Sequence, residues 1–261
     1  MDAVSKPVLV ERHGAAALIT LNQPDRLNVF DEALGMALTE VLRDLTRDAE
    51  LRAIGIVGEG RSFMAGGDVS AFREAGDRAP EYVGRLIDVI HPIIQTIRDL
   101  RIPVVAGVQG PVAGGGFSLA MACDLVIAAE GTKLVPAYGK LATSCDAGLS
   151  WTLTRLVGTR RALEILWFGE AIDAAQATSL GLVNKVVPLA RLREETLMTL
   201  EKLSGLSAQA VSAMKALVNQ AILQPLGAQL DAERASFVKL AGTVEFRDAV
   251  QGFFASRESR K

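Results

Sequence analysis

The chain has 261 residues, 49% of them apolar and 22% charged, a globular composition that excludes a disordered or low-complexity protein. A net charge of -2 leaves no basic footprint for a nucleic acid. Its two cysteines, Cys123 and Cys145, fit neither a metal spacing nor a disulfide framework, and no apolar leader lies between Met1 and Pro7, so a cytoplasmic protein is expected.

Val8 to Val10 and Ala16 to Leu21 read as two strands joined at His13-Gly14, and Gln23-Pro24-Asp25 is turn chemistry. Asp31 can cap a helix whose apolar face is Leu34, Leu38, Val41, Leu42 and Leu45. Ala53 to Val57 is a buried strand closed by Gly58-Glu59-Gly60. Those glycines do not open a dinucleotide fingerprint, because the sixth position is Phe63. A loop follows with Ala65-Gly66-Gly67-Asp68. Pro80 to Leu100 has helical character that Pro92 is expected to interrupt, since proline lacks the N–H donor.

Ile102 to Cys123 carries no charge and is long enough to span a bilayer. Pro103, Pro111 and Gly114-Gly115-Gly116 punctuate it, so it reads as a strand (Val104 to Val108), a glycine turn and a helix (Gly114 to Met121), with no membrane role. Leu125 to Ala129 and Lys133 to Ala137 are short strands. Ser150 to Phe168 and Ala174 to Ser179 are helical, and Val183 to Val187 is the last strand. Beyond about residue 190 only helical periods remain, as at Val211, Met214, Leu217 and Val218. The expected organisation is an α/β body over residues 1–195 and a helical region over 196–261.

Two segments hold the chemistry. Gly114-Gly115-Gly116 sits between a strand and a helix, where the first helical N–H groups lack partners and face outward at the positive end of the dipole. That suits a phosphate or a developing oxyanion, and equally a turn that only lets helix and strand pack. Phe63 to Asp68 offers a further backbone donor or an ordinary tight turn.

Taken with Ile19 to Asn28, Pro103 to Asp124, Arg155 to Glu164, Ala171 to Val187 and Phe246 to Arg257, these segments resemble the crotonase (enoyl-CoA hydratase/isomerase) superfamily in order and spacing. The resemblance implies a spiral of ββα units with a C-terminal helical region that covers the pocket or joins subunits, usually as trimers or hexamers. It also implies an acyl-CoA thioester as substrate, with no separate cofactor and no metal. The thioester oxygen would lie between the N–H groups of Gly67 and Gly115.

The family's hydratases place one glutamate just after the glycine run and another in the following strand-loop. Those places here hold Ser118 and Tyr138, and neither is a carboxylate at neutral pH. Ser144 to Trp151 instead resembles the segment that carries the catalytic aspartate of family isomerases, the ring-epoxide and oxepin isomerases included, and Asp146 falls on it. One carboxylate suits a 1,3-proton shift. An aspartate here also suits a cap on the helix near Leu149. The same stretch resembles aryl-CoA dehalogenases, in which the aspartate is a nucleophile and a histidine matches His91, although Tyr138 replaces their tryptophan. The isomerase reading leads. A hydratase with an unusual acid/base pair and a non-catalytic acyl-CoA binder stay as alternatives. Phe72, Ile90 and Phe117, with Leu86, are candidates for the acyl pocket and equally for the core. The resemblance also makes Arg26 and Leu27 candidates for the coenzyme end, and Ala65 a candidate for substrate binding. The acyl group itself is not legible.

Overall fold

The computed structural model describes residues 6–258, so Met1 to Ser5, where a leader was sought, lie outside it. The chain divides after Leu203 into two compact units.

The first unit opens with β1 (Val8–His13) and β2 (Ala16–Leu21), paired antiparallel, and then α1 (Glu32–Thr46). β3 (Ala53–Gly58) leads to α2 (Val69–Ala75) and α3 (Ala79–Asp99). Two ββα units follow: β4 (Val104–Val108), β5 (Pro111–Ala113) and α4 (Gly115–Ala122), then β6 (Leu125–Ala129), β7 (Lys133–Val135) and α5 (Leu149–Phe168). β8 (Ile172–Asp173), α6 (Ala174–Ser179), β9 (Lys185–Val187) and α7 (Leu192–Ser204) complete it.

The larger sheet has six strands in the order β1-β2-β3-β4-β6-β9, parallel except at β1. The smaller sheet is β5-β7-β8. Each ββα unit therefore gives its first strand to one sheet and its second to the other. The β3 unit does the same through an isolated bridge from Met64 to Val112. This is the mixed α/β spiral expected from sequence. Inner parallel strands are buried on both faces, so β2, β4 and most of β3 read as continuous apolar runs, while edge strand β1 exposes most of its residues.

Local chemistry explains most element ends. Asp31 caps α1 by accepting from Leu34 N (2.8 Å), and Leu34, Leu38, Leu42 and Leu45 are buried as their spacing predicts. α5 carries a kink at Gly158, whose φ of 74° departs from helical geometry. β7 ends at Val135, before Pro136.

Four elements depart from expectation. α3 runs unbroken through Pro92, because Leu86, Ile90, Ile93, Ile94 and Ile97 keep one buried face on both sides of it and packing outweighs the lost donor. α2, β5 and the two-residue β8 were not foreseen. α2 is short and begins at Asp68, whose side chain accepts from Ser70 N (3.0 Å) and Ala71 N (3.2 Å). The uncharged stretch from Ile102 to Cys123 forms β4, β5 and all of α4, and no helix among the described residues is long and apolar enough to cross a membrane. The first unit extends past residue 195 because Leu192 and Leu200 of α7 join a buried cluster with Leu18 and Val105 of the larger sheet.

The second unit, Ser204–Lys261, contains α8 (Ala208–Ala221), α9 (Leu226–Ala241) and α10 (Val244–Glu258). α8 packs on α9, and Gln229 of α9 is buried while donating to Leu217 O (3.3 Å).

Candidate active site

A cavity of about 520 Å³ opens between the glycine segments, α2, α3 and the loop before α5. Its walls are mostly apolar, with Phe30, Phe72, Val83, Leu86, Ile87 and Ile90 among them. Gly67 and Gly115 both line it.

Backbone pairing brings the two glycine segments together. Ala113 N donates to Met64 O (3.0 Å), and Phe30 N donates to Gly66 O (2.7 Å). A Cβ built on Gly66 would lie 3.0 Å from Ala113 O, and Gly66 has a φ of +94°, so the close approach and the conformation both call for glycine there. Gly115 is the first residue of α4, so its N–H has no partner within the helix. Gly114 N, one residue earlier, is spent on Val135 O (3.0 Å).

The cavity also carries Asp146, the single carboxylate among its lining residues. Asp146 does not cap α5. The residue at the cap is Gly148, and no side chain bonds there. The Asp146 carboxylate turns instead to Tyr138, whose phenol donates to Oδ1 at 2.5 Å. Tyr138 Oη lies 3.0 Å from Ser118 Oγ, and Ser118 is fully buried. Ser118 Oγ is also within reach of two carbonyl oxygens, Asp146 O (3.2 Å) and Gly114 O (3.3 Å). Burial, the charge of Asp146 and the hydrogen bond to it push the Tyr138 phenol far above its ordinary range, so it is protonated at any working pH.

Both partners come from uncommon backbone. Ala137, just before Tyr138, has a φ of 65°, and Ala147, just after Asp146, has a φ of 48°. Neither residue favours the left-handed region, and each such position costs on the order of 1 kcal/mol or more.

The other sequence candidates are distributed as follows. Ala65, Phe72, Ile90 and Tyr138 line the cavity, with Leu86. Phe117 is fully buried in the main core. His91 is exposed on α3, on a different face from Ile90. Leu27 has a φ of 56°, and its carbonyl accepts from Ala65 N at 3.1 Å. Arg26 is held by two carboxylates, Asp31 (2.6 Å) and Asp68 (2.5 Å), which raise its pKa, the bond to Asp31 contributing most. That arginine thereby ties the caps of α1 and α2 to each other. Phe30, Val83 and Ile87 were missed as lining residues. Val83, Ile87 and Ile90 stand at helical spacing on α3 ahead of Pro92, so the helical period alone could have found that face.

Comparison with known proteins gives the family. The sequence model described as enoyl-CoA hydratase/isomerase matches residues 11–261. A 1,2-epoxyphenylacetyl-CoA isomerase of Escherichia coli K12 is 32% identical over 241 residues, covering 92% of either chain. A probable enoyl-CoA hydratase of Rhizobium meliloti is 34% identical and covers 97% of this chain and 96% of that protein. Among solved structures, an enoyl-CoA hydratase from Polaromonas sp. JS666 superposes with a TM-score of 0.90 at 33% identity, over 95% of this chain and 97% of the other. The chain therefore belongs to the enoyl-CoA hydratase/isomerase family of the crotonase superfamily.

Proposed function

We propose that the chain is an acyl-CoA isomerase that moves a double bond by 1,3-proton transfer, with Asp146 as the base. The observation that carries this reading is the cavity's single carboxylate: the two positions where family hydratases hold glutamates carry Ser118 and Tyr138, both neutral hydroxyls bonded to each other. A water held between two carboxylates, as those hydratases need, has no second carboxylate in this cavity.

In the proposed reaction the thioester carbonyl oxygen accepts hydrogen bonds from Gly67 N–H and Gly115 N–H. The Asp146 carboxylate takes a proton from the carbon that links the carbonyl-conjugated system to the chain. The C–H electron pair moves into the π-system, and the negative charge gathers on the carbonyl oxygen, where the two donors stabilise it. Asp146 then returns the proton two carbons away and the double bond has shifted. Substrate and product are isomers, so no water or cofactor is consumed. The apolar walls suit a hydrocarbon acyl group. His91 lies on the exposed side of α3, away from the lining, which disfavours the dehalogenase-like alternative that would use it on an aspartyl ester.

The test is deuterium uptake from heavy water into a panel of enoyl- and arylacetyl-CoA thioesters, followed by mass spectrometry. Asp146→Asn should lower exchange by about 10²–10⁴-fold while the thioesters still bind. Full exchange in that variant would remove Asp146 from the chemistry. Hydration of the same esters by the wild type at a rate above exchange would favour the hydratase.

A further inference from the structure

We propose that Tyr138, supported by Ser118, is a positioning residue that grips Oδ1 of Asp146 and leaves Oδ2 as the one oxygen that exchanges protons with substrate. The inference rests on Asp146 being the base and adds how that base is aimed.

The directions of the hydrogen bonds are fixed by chemistry. An ionised carboxylate only accepts, so Tyr138 donates to Oδ1. With its one proton committed, Tyr138 Oη is free to accept, and Ser118 Oγ–H lies 3.0 Å away to donate. Oδ2 has no partner among the described residues. A carboxylate held at one oxygen cannot spin about its last torsion, so the free oxygen keeps one heading.

The second half of the argument is the place of Ser118. It lies on α4, the helix whose first N–H is that of Gly115. Its hydroxyl sits between Gly114 O of that helix's entry and Asp146 O of the base loop. With its one proton on Tyr138, this buried hydroxyl packs beside both carbonyl oxygens without bonding them, and so links the base loop to α4 through the phenol. Tyr138 completes the brace from a third segment, the turn Tyr138–Leu141. During the reaction Oδ2 gains the substrate proton and gives it back, and Tyr138 neither loses nor gains one. Displacement of a reacting group by about 1 Å costs on the order of 10²-fold in rate, so a brace of this kind acts on turnover more than on binding.

Two measurements test the proposal. The first is exchange kinetics. Tyr138→Phe keeps the ring and should lower kcat about 10- to 100-fold with KM within about twofold and melting within a few degrees. Ser118→Ala should lose less, and the double variant should be no worse than Tyr138→Phe, because serine acts through the phenol. An unchanged kcat in Tyr138→Phe, or additive losses, overturns the proposal. The second needs no turnover. The chain has two tyrosines, Tyr82 and Tyr138, so Tyr82→Phe leaves Tyr138 as the single phenol for an absorbance titration. In that background Asp146→Asn should bring phenol ionisation to lower pH by about one unit or more, since a neutral amide replaces the charge. No movement means the pair is not formed in solution and sinks the inference by itself. Exchange that survives Asp146→Asn would instead sink the assignment of the base, and the titration would still decide whether Tyr138 holds it.

Discussion

Gly116→Ala should damage the enzyme where Gly115→Ala does not, although the two glycines are adjacent on α4. A Cβ at position 116 would lie 2.2 Å from Met64 O, 2.8 Å from Met64 Cβ and 2.9 Å from Met64 C. Ordinary contact begins near 3.4 Å, and the crowded atoms belong mainly to backbone, so no side chain can swing aside. α4 and the Phe63–Asp68 segment must part by roughly 1 Å, a distance that costs on the order of 10²-fold in rate when it falls between groups that act together. Those two elements carry Gly115 and Gly67, the proposed donors. Overpacking adds a cost of about 1–3 kcal/mol in stability. At position 115 a Cβ would meet only Ile90 Cδ1, at 3.6 Å, and alanine keeps the N–H. Exchange kinetics and thermal melts of the two variants make the comparison. Gly116→Ala should lose about 10²-fold in kcat and several degrees in Tm, and Gly115→Ala should stay within about tenfold of wild type. Equal activity in the two variants would refute the claim that spacing between these segments governs turnover.

Two further outcomes follow from the same residues. Asp68→Ala removes the cap of α2 and one of the two carboxylates on Arg26, and should cost about 1 kcal/mol in urea unfolding. A cost near zero would show that Asp68 does not stabilise the loop that carries Gly67. The pH dependence of stability has a definite sign. Tyr138 has a folded-state pKa raised above its ordinary 10, so the folded chain holds the proton more tightly than the unfolded one. Its contribution is full below about pH 10 and is lost as pH rises from there toward the folded value. Tyr138→Phe should therefore flatten the alkaline fall in urea midpoints, leaving a weaker slope from Tyr82, which burial raises in the same direction. An alkaline limb unchanged by the substitution would count against a buried, protonated phenol.

Much of this architecture is written locally. β2 and β4 are legible because a parallel strand buried on both faces must be apolar throughout. α1 is legible because Asp31 caps it and Leu34, Leu38, Leu42 and Leu45 recur at helical spacing. The glycine run before α4 announces exposed N–H groups, and the order of such pieces along the chain carries the family resemblance. α3 was read as broken because Pro92 speaks locally, whereas the packing that holds the helix together depends on a face extending well beyond the proline.

The site itself was decided by tertiary structure. Asp146 as drawn from sequence had three roles open to it, cap, base or nucleophile, and only the folded loop shows its carboxylate on Tyr138 instead of the α5 backbone. Ser118 and Asp146 are 28 residues apart, and their approach to 3.2 Å, side chain to backbone, is one that no periodicity encodes. The left-handed turns at Ala137 and Ala147 that aim these groups leave no mark either, because alanine does not advertise such a conformation. Composition and spacing specify which face of an element is buried, since that depends on near neighbours in sequence. Which polar groups meet in the cavity depends on how ββα units stack, and that is set by the whole core at once.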